Sequence, residues 1–125
     1  MFERIKIKYL GRQPVANISD RTLDRLIRRE FPDNFKEVKH KLDLIRSHSI
    51  KGRNRLSASV LKLSNKDLMK MDSFIEMCNH DFRDVLSQAE YPERAKYGFE
   101  KITLVKLKKI YLEDWSAYSN WISRV

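Results

Sequence analysis

Glycine and proline are scarce in this chain, three of each among 125 residues, and that scarcity constrains the fold more than any other feature. A β-sandwich of this length needs many turns and the residues that make them. Long stretches without breakers suit helices instead. An apolar fraction of 42% can fill one core, and a charged fraction of 34% gives it a solvated surface. That balance is globular rather than disordered, and the length fits one domain.

Hydrophobic spacing places the helices. Leu23, Leu26 and Ile27 form a stripe behind a cap at Ser19 or Asp20. Pro32 ends this helix, and Asp33 or Asn34 caps the next, where Phe35, Val38, Leu42 and Ile45 recur at helical steps. The segment HSIKGRN (48–54) carries Gly52 and reads as a loop. A shorter helix follows, with Leu56, Val60, Leu61 and Leu63 facing inward. Ser64 with Asp67 resembles a capping box ahead of Leu68, Met71, Phe74, Ile75 and Cys78. Asp81 caps another helix, with Phe82, Val85, Leu86 and Ala89 on one buried face, and Tyr91-Pro92 stops it. Arg83 and Glu90 are left without an assigned partner.

After Gly98, the residues Leu104, Leu107, Ile110 and Tyr111 suit a helix reaching about Ile122. The β-branched run 102–105 also fits a strand, and Glu113-Asp114 also fits a break. At the start, Ile5, Ile7 and Tyr9 alternate with Lys6 and Lys8 before Gly11 and Pro14. This pattern suits an extended arm lying along helices. The expected architecture is all-α: an arm over 1–18, then a single domain over 19–125 built as an irregular array of about six helices.

The net charge of +9 lies entirely in residues 1–63; residues 64–125 carry ten charges of each sign. Between Leu44 and Asn65 the chain holds Arg46, Lys51, Arg53, Arg55 and Lys62 and no carboxylate. With His48, these are the candidate partner-binding residues, since an unbalanced basic run attracts anionic surfaces. The bland alternative is a solvated face that keeps the protein soluble. A second carboxylate-free run holds Lys101, Lys106, Lys108 and Lys109. The tail DWSAYSNWISRV offers Trp115, Tyr118 and Trp121 as candidate interface residues, although a closing core helix accounts for the same spacing.

The chain offers few groupings suited to chemistry. Asp81 and Asp84 would lie together at a helix start, where the dipole ionises both rather than separating their pKa values. A metal site over Cys78, His80 and Asp81 lacks further ligands. A lone Cys78 near a helix C-terminus fits a small buried hydrophobe better than a nucleophile. Phosphate loops and dinucleotide fingerprints do not occur. The expectation is a chain with no catalytic residue, metal or cofactor.

No apolar run reaches about 18 residues, and charges interrupt the opening MFERIKIKYLGRQP. The chain is expected to be soluble and cytoplasmic, without a membrane partner. One cysteine, Cys78, agrees with a reducing compartment. The expected function is non-catalytic binding or regulation, engaging an acidic protein surface through the basic half. The alternative is a nucleic-acid-associated protein making phosphate contacts. The sequence leaves the oligomeric state open.

Residues 64–93, SNKDLMKMDSFIEMCNHDFRDVLSQAEYPE, resemble a pattern of small uncharacterised bacterial proteins. In these, a helix near a D-L pair leads into N-x-D-[FY]-R-D-V-L and then A-E-Y-P. Asp114, Tyr118, Trp121 and Ile122 match the D-x-x-x-Y-x-x-W-[IL] tail. The resemblance implies an all-helical protein. It implies no activity, and no functional residue is carried over from it.

Overall fold

The computed structural model describes residues 13–125; the alternation at 5–9 and Gly11 lie outside them. Among the described residues there are seven helices and no strand: α1 (Asp20–Glu30), α2 (Phe35–Leu42), α3 (Ile50–Ser64), α4 (Leu68–His80), α5 (Phe82–Glu90), α6 (Pro92–Ala95) and α7 (Leu104–Ser123). The all-α architecture read from the sequence is therefore the one observed. Two compact units divide the described residues, one over 17–89 and one over 90–124 with residues 13–16.

In the first unit, α1 begins at Ser19, whose Oγ accepts from the Thr22 amide at 3.1 Å. Capping of this kind satisfies one of the amides a helix start leaves unpaired and contributes about 1 kcal/mol. Leu23, Leu26 and Ile27 are buried as the spacing requires. The helix ends one residue before Phe31, ahead of Pro32. At the start of α2, Asn34 caps no backbone amide; its Nδ2 donates to Glu37 at 3.3 Å instead. Val38, Leu42 and Ile45 are buried, whereas Phe35 is half-buried beneath the Arg28 guanidinium, 4.0 Å from the ring centroid. Lys41 holds Asp72 of α4 through contacts of 2.8 and 2.9 Å.

Helix α3 is the centre of this unit and packs on both α1 and α4. Leu56, Ala58, Val60 and Leu61 are buried, but so are Asn54, Ser57, Ser59 and Ser64, so burial runs round most of the helix. Small serines let neighbouring helices approach closely. Ser59 and Ser64 satisfy their hydroxyls by donating to the carbonyls of Arg55 and Val60, one turn back. Asn54 ties α3 to the start of α1, donating to the Ile18 carbonyl at 3.2 Å and to Asp20 at 2.8 Å. Leu63, expected to face inward, is half-buried.

Two local expectations fail. The segment 48–54 is not a loop: α3 starts at Ile50, and the connection is 43–49. The capping box does not form either. Ser64 is the last residue of α3, Asn65 follows in the left-handed region at φ 49°, and Asp67 alone caps α4 through the Met69 and Lys70 amides. Along α4 the buried face is Met71, Ile75 and Cys78, with Leu68 and Phe74 half-buried at its edge.

In the second unit, Gln13, Pro14 and Ala16 line a small void with Tyr111, Trp115 and Tyr118. Helix α7 begins at Thr103, whose hydroxyl accepts from the Lys106 amide at 3.3 Å, and it runs unbroken through Glu113-Asp114. The run 102–105 thus resolves as a cap and a helix start, not a strand. Asp114 is buried, and its two carboxylate oxygens accept from the Glu93 and Arg94 amides at 3.0 and 2.9 Å. A carboxylate from α7 therefore caps α6, whose own Tyr91 supplies no side-chain cap. Pro92 stands at the helix start, where its missing N–H removes no bond.

Candidate functional site

The site is assembled from three pieces of the first unit: the connection 43–49, the first turns of α3, and the first turn of α5 with Leu86. They line an open groove with a volume of about 640 Å³. Its construction starts from the connection. Ile45 is buried and anchors the middle of it. Asn79, near the end of α4, clamps both sides of that anchor. Its Nδ2 donates to the Leu44 carbonyl at 3.0 Å, and its Oδ1 accepts from the Arg46 amide at 2.8 Å.

Next comes the entry into α3. Ser49 Oγ accepts from the Gly52 amide at 2.9 Å, and Ser47 Oγ donates to the Ser49 carbonyl at 3.2 Å. A Cβ on Gly52 would lie 2.7 Å from Ser47 Oγ and 3.0 Å from Ser49 Oγ. Glycine is present because two serine hydroxyls occupy the space of a side chain, not because the chain turns there. That is why a residue that reads as a loop marker sits inside a helix.

The lining has two characters. Ile45, Leu56 and Leu86 are buried beneath it, while Leu44 and Phe82 remain 61% and 49% exposed at its edge. Phe82 was expected on the buried face of α5 with Val85, Leu86 and Ala89. The other three are buried. Phe82 is the first residue of α5, one turn before Val85. Helix side chains lean toward the N-terminus, so its ring reaches past the packed part of the helix and over the cavity.

The polar part of the lining is basic. Arg46, His48, Arg53 and Arg55 line the cavity, against one carboxylate, Asp43. Arg55 is already engaged in an interaction of its own. By contrast, no ion pair involves Arg46, His48 or Arg53 among the described residues. The Arg53 Nε is buried without a hydrogen-bond acceptor. The first turn of α3 has no acidic residue to offset the positive end of its dipole, which adds to the same field. The arrangement can hold a carboxylate or phosphate beside an apolar group. A second cavity of about 470 Å³ also meets Arg53, but there Asp20, Asp24 and Asp43 face Lys39 and Arg53, and the Lys39–Asp24 pair is closed.

The other candidate residues are placed elsewhere. Lys51 is exposed and is not part of the lining. Lys62 donates to the Ala89 carbonyl at 2.6 Å, near the C-terminal end of α5, which is a capping role. Tyr118 and Trp121 are buried and stack with ring centroids 5.9 Å apart, and Trp115 is half-buried. Asp81 accepts from the Arg83 amide at 3.2 Å and lies 3.5 Å from the Arg83 guanidinium, which supplies the partner that Arg83 lacked in the sequence. Asp84 is exposed in the first turn of α5, and Glu90 is buried and partnered. Cys78 is buried, and that burial pushes its thiol up to about 11, which keeps it protonated at neutral pH. Among the described residues no three of His, Cys, Asp and Glu gather as a metal site. No described helix is long and apolar enough to cross a membrane.

Sequence reasoning found the four basic lining residues through their charge run. It missed Leu44, Gly52, Phe82 and the clamp at Asn79. The Ser49–Gly52 spacing is that of a cap and its amide donor and could have moved the helix start. Phe82 and Asn79 carry no local signal of their roles. No family model, curated protein or solved structure matches the chain, so the bacterial resemblance of residues 64–93 rests on its motif alone.

Proposed function

We propose that this chain is a non-catalytic, cytoplasmic binding or regulatory protein that engages an acidic protein partner through the groove at the start of α3. The motif over 64–93 suggests a bacterial setting. The observation that carries the reading is convergence: Arg46, His48, Arg53 and Arg55 are spread over ten positions of sequence and line one cavity beside a single carboxylate. Arg46 and Arg53, which make no ion pair among the described residues, concentrate field lines at this concave surface and match planar carboxylates two bonds at a time.

A second reading is nucleic-acid association by phosphate contact. The half-exposed Phe82 ring beside those arginines favours it, since bases stack on such faces.

Fluorescence anisotropy with a labelled Glu/Asp-rich peptide and with labelled single-stranded DNA separates the two. The acidic-partner reading expects micromolar capture of the peptide, weakening as salt rises, and weaker capture of DNA. Tighter binding of DNA, with a steep fall between about 50 and about 200 mM salt, would replace it with the second reading. Capture of the peptide that survives Arg46→Glu/Arg53→Glu in a folded protein would contradict the groove assignment.

A further inference from the structure

We infer that the groove recognises an acidic segment by one large apolar side chain seated against Phe82, with the carboxylates of that segment on the arginines around it. This rests on the acidic-partner reading and specifies the chemistry of the partner: an aromatic or long aliphatic residue flanked by Asp or Glu.

The cavity exposes apolar groups as well as cations. A site built for a carboxylate alone needs cations and amides, not apolar walls. Here Leu44 and Phe82 stand 61% and 49% exposed beside the same cavity that Arg46 and Arg53 line. Beneath them Ile45, Leu56 and Leu86 are already buried, so the surface under the opening is aliphatic. The volume of about 640 Å³ exceeds what one side chain fills. It falls in the range, about 300–1,000 Å³, of pockets that enclose ligands of several groups. One anchor with its neighbours therefore fits better than a free inorganic anion.

The surroundings hold this arrangement in place before a partner arrives. Asn79 fixes Leu44 and Arg46 through their backbone, so an apolar wall and a cation share one clamp. Gly52 keeps the α3 end of the groove clear of a side chain, with the Ser47 and Ser49 hydroxyls packed in its place. Preorganisation of this kind lowers the ordering cost of binding. Charge complementarity selects the acidic flanks, and the aliphatic floor selects the anchor.

Two labelled peptides of equal negative charge test this on the full chain, one with a central Trp and one with Ala there. The expected result is about tenfold tighter binding of the Trp peptide, as burial of one large apolar side chain gives. Phe82→Ala removes most of that advantage, and so does Leu44→Ser, which changes an exposed loop residue and leaves α5 intact. Equal affinity of the two peptides for the unaltered protein overturns the inference and leaves the acidic-partner reading standing. An anchor advantage that survives both variants does the same. Failure of both peptides to bind overturns both.

Discussion

Two basic runs that look alike in the sequence end in different surroundings. Both lack carboxylates, and both stand at the start of a helix. In the first, Arg46, His48, Arg53 and Arg55 are wrapped around a cavity with an aliphatic floor. In the second, Lys101, Lys106 and Lys109 are exposed along the start of α7 and the segment before it, and Lys106 lies 4.7 Å from the Tyr97 ring centroid. Val105, Lys109 and Leu112 follow at helical spacing on the face opposite the buried Ile110 and Asp114. The difference is that one charge run lines a groove with apolar walls, the feature on which the proposed site rests, and the other does not. Along one outward helix face the same charges are separated by solvent and screened.

The largest effect should come from reversing charge in each run in turn. Arg46→Glu/Arg53→Glu is expected to weaken acidic-peptide binding about 10–100-fold by anisotropy, whereas Lys106→Glu/Lys109→Glu changes it by about twofold or less. Equal losses from the two variants would erase the distinction between the runs.

A second break acts on the region around α6. Asp114→Ala leaves the half-buried Glu93 and Arg94 amides without their acceptor, and should cost about 1–2 kcal/mol in denaturant unfolding. Peptide affinity should hold within about twofold. A large loss of affinity there would mean that the groove depends on the α7 carboxylate.

Asn79→Ala sharpens the comparison from the other side. It removes both bonds that clamp the connection, should cost about 1–2 kcal/mol, and should weaken the peptide severalfold. The smallest structural change is Gly52→Ala. In an ordinary helix interior this exchange stabilises by about 1 kcal/mol. Here the new Cβ displaces Ser47 and Ser49, so thermal unfolding should show no gain or a small loss. A clear gain would mean that the serines move aside freely and that Gly52 is not required.

Much of the fold was legible because it is local. Leu23, Leu26 and Ile27 are three residues on one turn-to-turn stripe, and the Pro32 stop acts on its immediate neighbours. The Ser19 cap binds an amide three residues on. What was not legible depends on contacts that spacing does not encode. The helix runs through Glu113-Asp114 as its spacing suits, but the burial of Asp114 against amides 20 and 21 residues earlier in the chain leaves no mark in that spacing. Phe82 keeps helical period with Val85 and Leu86, but period says nothing about where the packed layer ends. The basic lining of the groove was visible as composition. Its floor was not, because Ile45 and Leu86 are about 40 positions apart and line one groove only in the folded chain.

The central claim, that a groove with apolar walls rather than charge alone makes the site, is tested most directly by a titration that reads every residue at once. Amide chemical shifts of the isotopically labelled protein would be followed as the Trp-bearing acidic peptide is added. The account predicts saturable shifts over residues 44–56 and at Phe82 and Leu86, with little change at residues 101–109. Shifts concentrated on residues 101–109, or spread evenly over both basic runs, would contradict it.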